Sequence, residues 1–224
     1  MKITKRQKTW ANLDTDKVYA LSDAIDALRA YTSKKFDETL EFAIRLGVDV
    51  TKADQNIRGM VSLPNGTGKT VRVAVFTVNS ADEAKKAGAD VVGGEELIEK
   101  VAGGEINFDR VIATPDMMPK MSKIARILGP KGLMPNPKLG TVTNNVADAV
   151  ATAKAGQIEY RAEKRGIIHA GVGKMSFATD KLVENINALV DQLKKVKPAS
   201  VKGQYILGAS VATTQGPGLK VDVK

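Results

Sequence analysis

A chain of 224 residues has room for one large domain or two modest ones, each with a core of its own. It contains no cysteine, which excludes disulfides, thiolate catalysis and cysteine-ligated zinc and fits a reducing cytoplasm. A formal charge of +9 favours a polyanionic partner, because cations that neutralise phosphates release condensed counterions. No apolar run reaches membrane-spanning length, and no apolar core follows the basic start MKITKRQKTW, so neither a membrane anchor nor export is expected. No basic helix carries bulky apolar residues on its opposite face, so nucleic acid is favoured over a lipid surface.

Taken in chain order, the first predicted element is a helix over SDAIDALRAY, with Ser22 as its N-cap and acids in its first turn. In TLEFAIRLGV, Leu40, Phe42, Ile44, Leu46 and Val48 alternate with smaller or polar residues, the pattern of a half-buried antiparallel strand. IRGMVSL (57–63) repeats it. The character then changes. VRVAVFTV (71–78), ADVV (89–92) and RVIA (110–113) are short, mostly apolar and do not alternate, and ADEAKKAG and EELIEKV between them read as helices. Alternation returns in IEYRA (158–162), YILGASV (205–211) and LKVDV (219–223). Before the last two comes the helix DKLVENINALVDQLKK, whose stripe of Leu182, Val183, Ile186, Leu189, Val190 and Leu193 stops near Pro198.

This order predicts an α/β protein. Residues 1–66 and 157–224 would form a discontinuous α+β domain with an antiparallel sheet, and 67–156 an inserted, Rossmann-like parallel α/β domain. Gly66 and Gly68 in LPNGTGK and Gly156 in KAGQ would be the hinge residues of the two crossings. The outer segments carry about +7 of the charge, an electrostatic footprint that places the main anion contact on the outer domain. The middle block is nearly neutral, but its stretch from Met117 to Ala147 holds Lys120, Lys123, Arg126, Lys131 and Lys138 and no acid, which suits a secondary contact.

NGTGKT (65–70) resembles the end of a phosphate-binding loop, which needs a leading glycine five residues before Gly68 and a helix behind it. Leu63 and Pro64 stand where the leading glycine belongs, and a strand-like run follows, so a nucleotide-binding enzyme is the weaker alternative. His169, the single histidine, has no nucleophile, carboxylate or further ligand at a recognisable spacing; a structural or RNA-contacting role is expected, with no catalytic residue, metal or cofactor. Around it Lys164, Arg165, Gly166, Gly171, Gly173 and Lys174 suit either a turn that approaches phosphates or an ordinary solvated hairpin. Phe36, beside Lys34 and Lys35, reads locally as a core residue at a strand entrance somewhat more readily than as an apolar face against a ribose or base. ATTQGPG (212–218) is a turn whose Gly216 and Gly218 allow backbone near a ligand, or simply a hairpin turn. GPKGLMPNPKLGTV (129–142), with its prolines, glycines and lysines, suits a rigid surface presented to another macromolecule; no enzyme chemistry needs that combination.

ADQNIRG (53–59), LPNGTGK, GPKGLMPNPKLGTV, GIIHAGVGK and TTQGPG, in this order along essentially the whole chain, resemble the bacterial ribosomal protein L-one family of the mobile stalk. The resemblance implies a two-domain fold and a non-enzymatic, cytoplasmic protein, present as a monomer within the ribosome. Its implied partners are large-subunit rRNA at the stalk, exit-site tRNA whose release it assists, and a leader in its own messenger through which it represses translation. It also implies an RNA surface built from Lys35, Phe36, Thr39, Lys164, Gly166, His169, Lys174 and Ser176. The family's Thr-Met-Gly triad falls on Thr214, Gln215 and Gly216. Glutamine in place of methionine exchanges a flexible apolar contact for an amide that needs hydrogen bonds.

Overall fold

The structure is a computed structural model that describes residues 5–33 and 35–223. Lys34, one of the two lysines beside Phe36, lies outside the described residues. Among the described residues, ten strands and eight α-helices follow one another. They are α1 (Lys5–Thr9), β1 (Val18–Tyr19), α2 (Leu21–Arg29), β2 (Thr39–Leu46), β3 (Arg58–Ser62), β4 (Val73–Phe76), α3 (Ala81–Lys86), β5 (Val91–Gly93), α4 (Glu95–Ala102), β6 (Arg110–Ala113), α5 (Met118–Met121), α6 (Ala125–Leu128), α7 (Val146–Lys154), β7 (Gln157–Arg161), β8 (Ile167–Lys174), α8 (Thr179–Lys195), β9 (Ile206–Thr213) and β10 (Gly218–Val221). They divide into two compact units: the chain up to Gly68 together with Ile158 onward, and Lys69–Gln157 between.

In the outer unit the sheet order is β1-β10-β9-β2-β8. β2 is an interior strand, antiparallel to β8 on one side and β9 on the other. Its alternation does what period two requires: Leu40, Phe42, Ile44 and Leu46 are buried on one face, while Glu41 and Arg45 are exposed on the other. The buried face takes α2, through Ala24, Ile25 and Leu28, and α8, through Leu182, Ile186, Leu189, Val190 and Leu193, in one continuous core. The opposite face carries small side chains between a few charged ones and stays open, with His169, Gly171, Gly208 and Lys220 exposed.

Four details differ from the sequence expectation. The sheet is mixed, since the two-residue β1 pairs parallel with β10, and IRGMVSL joins β7 in a separate two-stranded sheet. Ser22 is inside its helix, not at the cap. Extended Ala20 is the N-cap, and the Ser22 hydroxyl donates to Asp23, because Leu21 turns in early to reach the core. The strand expected at 89–92 starts at Val91, because the Ala89 amide still closes the turn of α3 on the Ala84 carbonyl.

The inner unit has a three-stranded parallel sheet in the order β5-β4-β6. All four residues of β4 are buried, and parity sends them to opposite sides. Val73 and Val75 pack with Val146 and Val150 of α7, whereas Ala74 and Phe76 pack with Leu97, Ile98, Val101 and the Met117, Met121, Ile124 and Leu128 group. Two-sided burial explains why these strands read as apolar runs without alternation.

Candidate nucleic-acid interface

The entrance of β2 assembles residues that are far apart in sequence. Thr39 pairs with Lys174 across β8, and Leu40 pairs with Thr213 across β9, which brings three loops to one sheet end. The Thr39 amide donates to Thr214 Oγ1 at 3.0 Å, and the Thr214 amide donates back to the Thr39 carbonyl at 3.1 Å. Lys174 Nζ donates to the Asp37 carbonyl (3.0 Å) and to Thr39 Oγ1 (3.1 Å), which leaves the third ammonium hydrogen for an outside acceptor. Both Ser176 donors, amide and hydroxyl, go to the Asp37 carboxylate.

Beneath them lies Glu38, 1% exposed. Its carboxylate accepts from the Ser33 amide at 2.7 Å and from the Gln215 amide at 3.3 Å, and its carbonyl accepts from the Met175 amide. One buried acid thus ties the three loops together. A buried carboxylate is tolerable only with such partners. Sequence reasoning missed this role, since an acid before a strand reads as a solvated charge and one of its donors is 177 positions away.

On this braced platform Phe36 is 43% exposed, so the local reading of a core phenylalanine is wrong: Leu40 and Phe42 already fill the core at this end. Lys35 is exposed beside it, its amide turned to Ser33 Oγ. Gly216 closes the opposite rim. A side chain there would collide with Thr213 Oγ1, a buried hydroxyl that has no hydrogen-bond partner. Gln215 is exposed, so its amide keeps access to water and the exchange from methionine does not bury a polar group.

The residues of the second basic motif do not stay together. Lys174 and Ser176 join the Phe36 end, whereas Lys164 and Gly166 lie at the far end of β2, where the Leu46 amide donates to the Gly166 carbonyl at 2.9 Å. Eight residues of β2 separate these ends, about 23 Å at the rise of an extended strand. Gly166 has φ 71°, and a Cβ there would lie 2.9 Å from the Leu46 carbonyl oxygen, so glycine is required for the turn. His169 sits mid-strand on the open face, opposite Ala43, with Nε2 3.6 Å from Glu163 Oε1.

The first crossing is held more firmly than a flexible connection would be. Asn185, fully buried on α8, donates to the carbonyls of Gly66 (2.9 Å) and Val172 (2.8 Å) and accepts from the Asn65 amide (3.1 Å). Gly66 and Gly68 adopt φ of 67° and 71°, and Gly156 adopts 95°. Gly68 packs against Lys174 and the Phe177 ring, which a Cβ would meet at 2.9 and 3.1 Å. After Thr70 the chain enters β4, where a phosphate-binding loop would need a helix.

In the inner unit the proline-rich loop is braced from within. Asn136 Oδ1 accepts from the Lys138 amide, Thr141 Oγ1 accepts from the Asn136 amide, and Gly132 and Gly140 turn with positive φ. Pro135 and Leu139 are buried while Lys131 and Lys138 are exposed.

A model of the ribosomal protein L1p/L10e family matches residues 28–217. The chain belongs to that family. The match runs from α2 through both units to the turn that holds Thr214, Gln215 and Gly216, so it takes in the whole β2 platform and the proline-rich loop. Membership in this L1 family makes the chain a structural protein of the large ribosomal subunit. Among the described residues no helix is long and apolar enough to cross a membrane.

Proposed function

We propose that this protein binds large-subunit rRNA at the mobile stalk, in the cytoplasm, through the platform at the entrance of β2. The observation that carries this reading is the exposed Phe36 ring on a rim of fixed donors from Thr39, Lys174 and Thr214. An exposed aromatic on a rigid base offers a stacking or packing surface to a ribose or base, and the adjacent cations meet the phosphates. Lys35, Ser176, Gln215 and Gly216 complete that rim. Lys164, Gly166 and His169 would contact RNA separately, along the open face and at its far end.

By the same family resemblance, the protein assists release of deacylated tRNA from the exit site and represses its own messenger by binding a leader that imitates the rRNA site. Motion needed for tRNA release would use the two crossings. Because Asn185 holds Gly66, the pivot we propose lies from Gly68 onward on one crossing and at Gly156 on the other. Phe36→Ala should weaken binding to a stalk rRNA fragment by about 1–3 kcal/mol, with an unchanged melting temperature because the ring is outside the core. Filter binding alongside calorimetry tests this, and wild-type affinity in the folded variant removes Phe36 from the interface.

A further inference from the structure

At the far end of β2 a cavity of about 370 Å³ is lined by Val50, Asn56, Arg161, Ala162, Glu163 and Lys164. That volume is within the range of sites that hold a small ligand or a ligand group. Its walls are fixed. Gln55, buried, accepts from the Asp49 amide at 2.8 Å on one side. On the other side the turn is closed by Glu163 N–H to the Ile167 carbonyl (2.9 Å) and Gly166 N–H to the Glu163 carbonyl (2.8 Å), and the Ala162 amide donates to the Ile57 carbonyl.

Nearby Arg58 is engaged by Glu159 at 2.9 Å, but Arg161 and Lys164 have no carboxylate partner among the described residues, and the Asn56 side chain makes no hydrogen bond there. Two uncommitted cations and a free amide therefore face one concave, rigid site. The one carboxylate in the lining, Glu163, is the one 3.6 Å from His169 Nε2. Two cations against one acid balance a singly charged anion, as in a phosphodiester, better than a dianionic phosphate.

We propose that this cavity is a second nucleic-acid seat that holds a backbone phosphodiester, with Arg161 and Lys164 on the phosphate oxygens and the Asn56 amide donating beside them. It rests on the RNA-binding reading but uses a surface a strand length away from Phe36. Contacts of this kind position RNA without reading its sequence.

The test titrates an octamer of uridine into the full-length Phe36→Ala chain and follows amide resonances. Shifts of the Asn56 side-chain amide and of the Glu163–Gly166 amides are expected. Arg161→Ala with Lys164→Ala should abolish them and lower the salt slope of octamer binding by about 0.7 for each phosphate no longer neutralised, while Glu163→Gln should tighten binding. Inorganic phosphate should compete poorly. Octamer shifts confined to Thr39 and Thr214 in the wild-type chain, with the cavity amides unmoved, overturn the seat and leave the RNA-binding reading intact. Failure of wild-type protein to bind either the octamer or the rRNA fragment overturns that reading itself.

Discussion

The two sheets bury themselves differently, and the difference sorts function between the units. β4 is covered on both sides, so the parallel sheet has no face left for a partner, and what the inner unit can present lies in its loops, chiefly 129–142. β2 is covered on one side only, so the mixed sheet of the outer unit keeps a face and two strand ends free for a large partner. The polar residues at the entrance of β2 are held by one another: Asp37, Thr39, Lys174, Ser176 and Thr214 form a single hydrogen-bonded group, and Glu38 beneath it binds the amides of Ser33, Met175 and Gln215. Preorganised donors lose little entropy when a ligand arrives.

The strongest way to break this comparison is to attack the doubly covered sheet. Phe76 is fully buried and meets the Phe108 ring edge-on at a centroid distance of 6.4 Å. Phe76→Ala should destabilise the inner unit by about 3–5 kcal/mol. Amide exchange should accelerate in β4 and β6 while β2 and β8 stay protected, as separate cooperative units require. Equal acceleration in β2 would mean that the two units unfold as one. As a control on the open face, His169→Ala should change stability by no more than about 0.5 kcal/mol.

Much of this contrast was legible in the sequence because it depends on periodicity. Leu40 to Leu46 alternate and β4 does not, and each pattern states how many faces are buried. The stripe of α8 was equally plain, since a helix of 17 residues repeats its pattern over several turns. What failed to show was anything decided by distant partners. Phe36 read locally as core because apolar residues at strand entrances usually are; only the filled space behind Leu40 and Phe42 turns it outward. Lys164 and Lys174 look like one motif ten positions apart, yet an intervening extended strand carries them to opposite ends of the sheet. Glu38 and Asn185 gave no signal, since the groups they satisfy are brought in by the fold.

Asn185 sharpens the comparison from the other side, because it is a buried polar group within the outer core. Its amide serves two carbonyls and one N–H. Asn185→Leu should cost about 2–4 kcal/mol, since the Gly66 and Val172 carbonyls and the Asn65 amide lose partners in a partly buried setting. Urea denaturation gives the stability change. Exchange of the Asn65 and Gly66 amides should rise more than that of β2, since the clamp acts on the crossing. Uniform acceleration would show that Asn185 supports the core as a whole and leaves the crossing unrestrained.

The smallest effect in the core concerns a polar atom that has found no partner. Tyr205 is 7% exposed and its hydroxyl makes no hydrogen bond, and burial, reinforced by nearby Tyr160, pushes its pKa up to about 12. Because this folded-state pKa lies above the ordinary tyrosine value, the stability linked to the neutral phenol is fully present below about pH 10 and is altered only in strong alkali. The raised value of this acid marks the charged form as the one the fold rejects, so the unfolded chain loses its proton first as the pH climbs and folding weakens above about pH 10. Tyr205→Phe removes a buried hydroxyl without emptying the ring's space, and the Lys197 ammonium, 5.8 Å from the ring centre, keeps its aromatic contact. The substitution should therefore be neutral or stabilise by up to about 1 kcal/mol at pH 7, and should flatten the loss of stability between about pH 10 and 12. A destabilisation above about 1 kcal/mol at pH 7 would show that the hydroxyl is bonded in solution, for example through a buried water, and that the outer core is wetter on this side than the covered sheet of the inner unit.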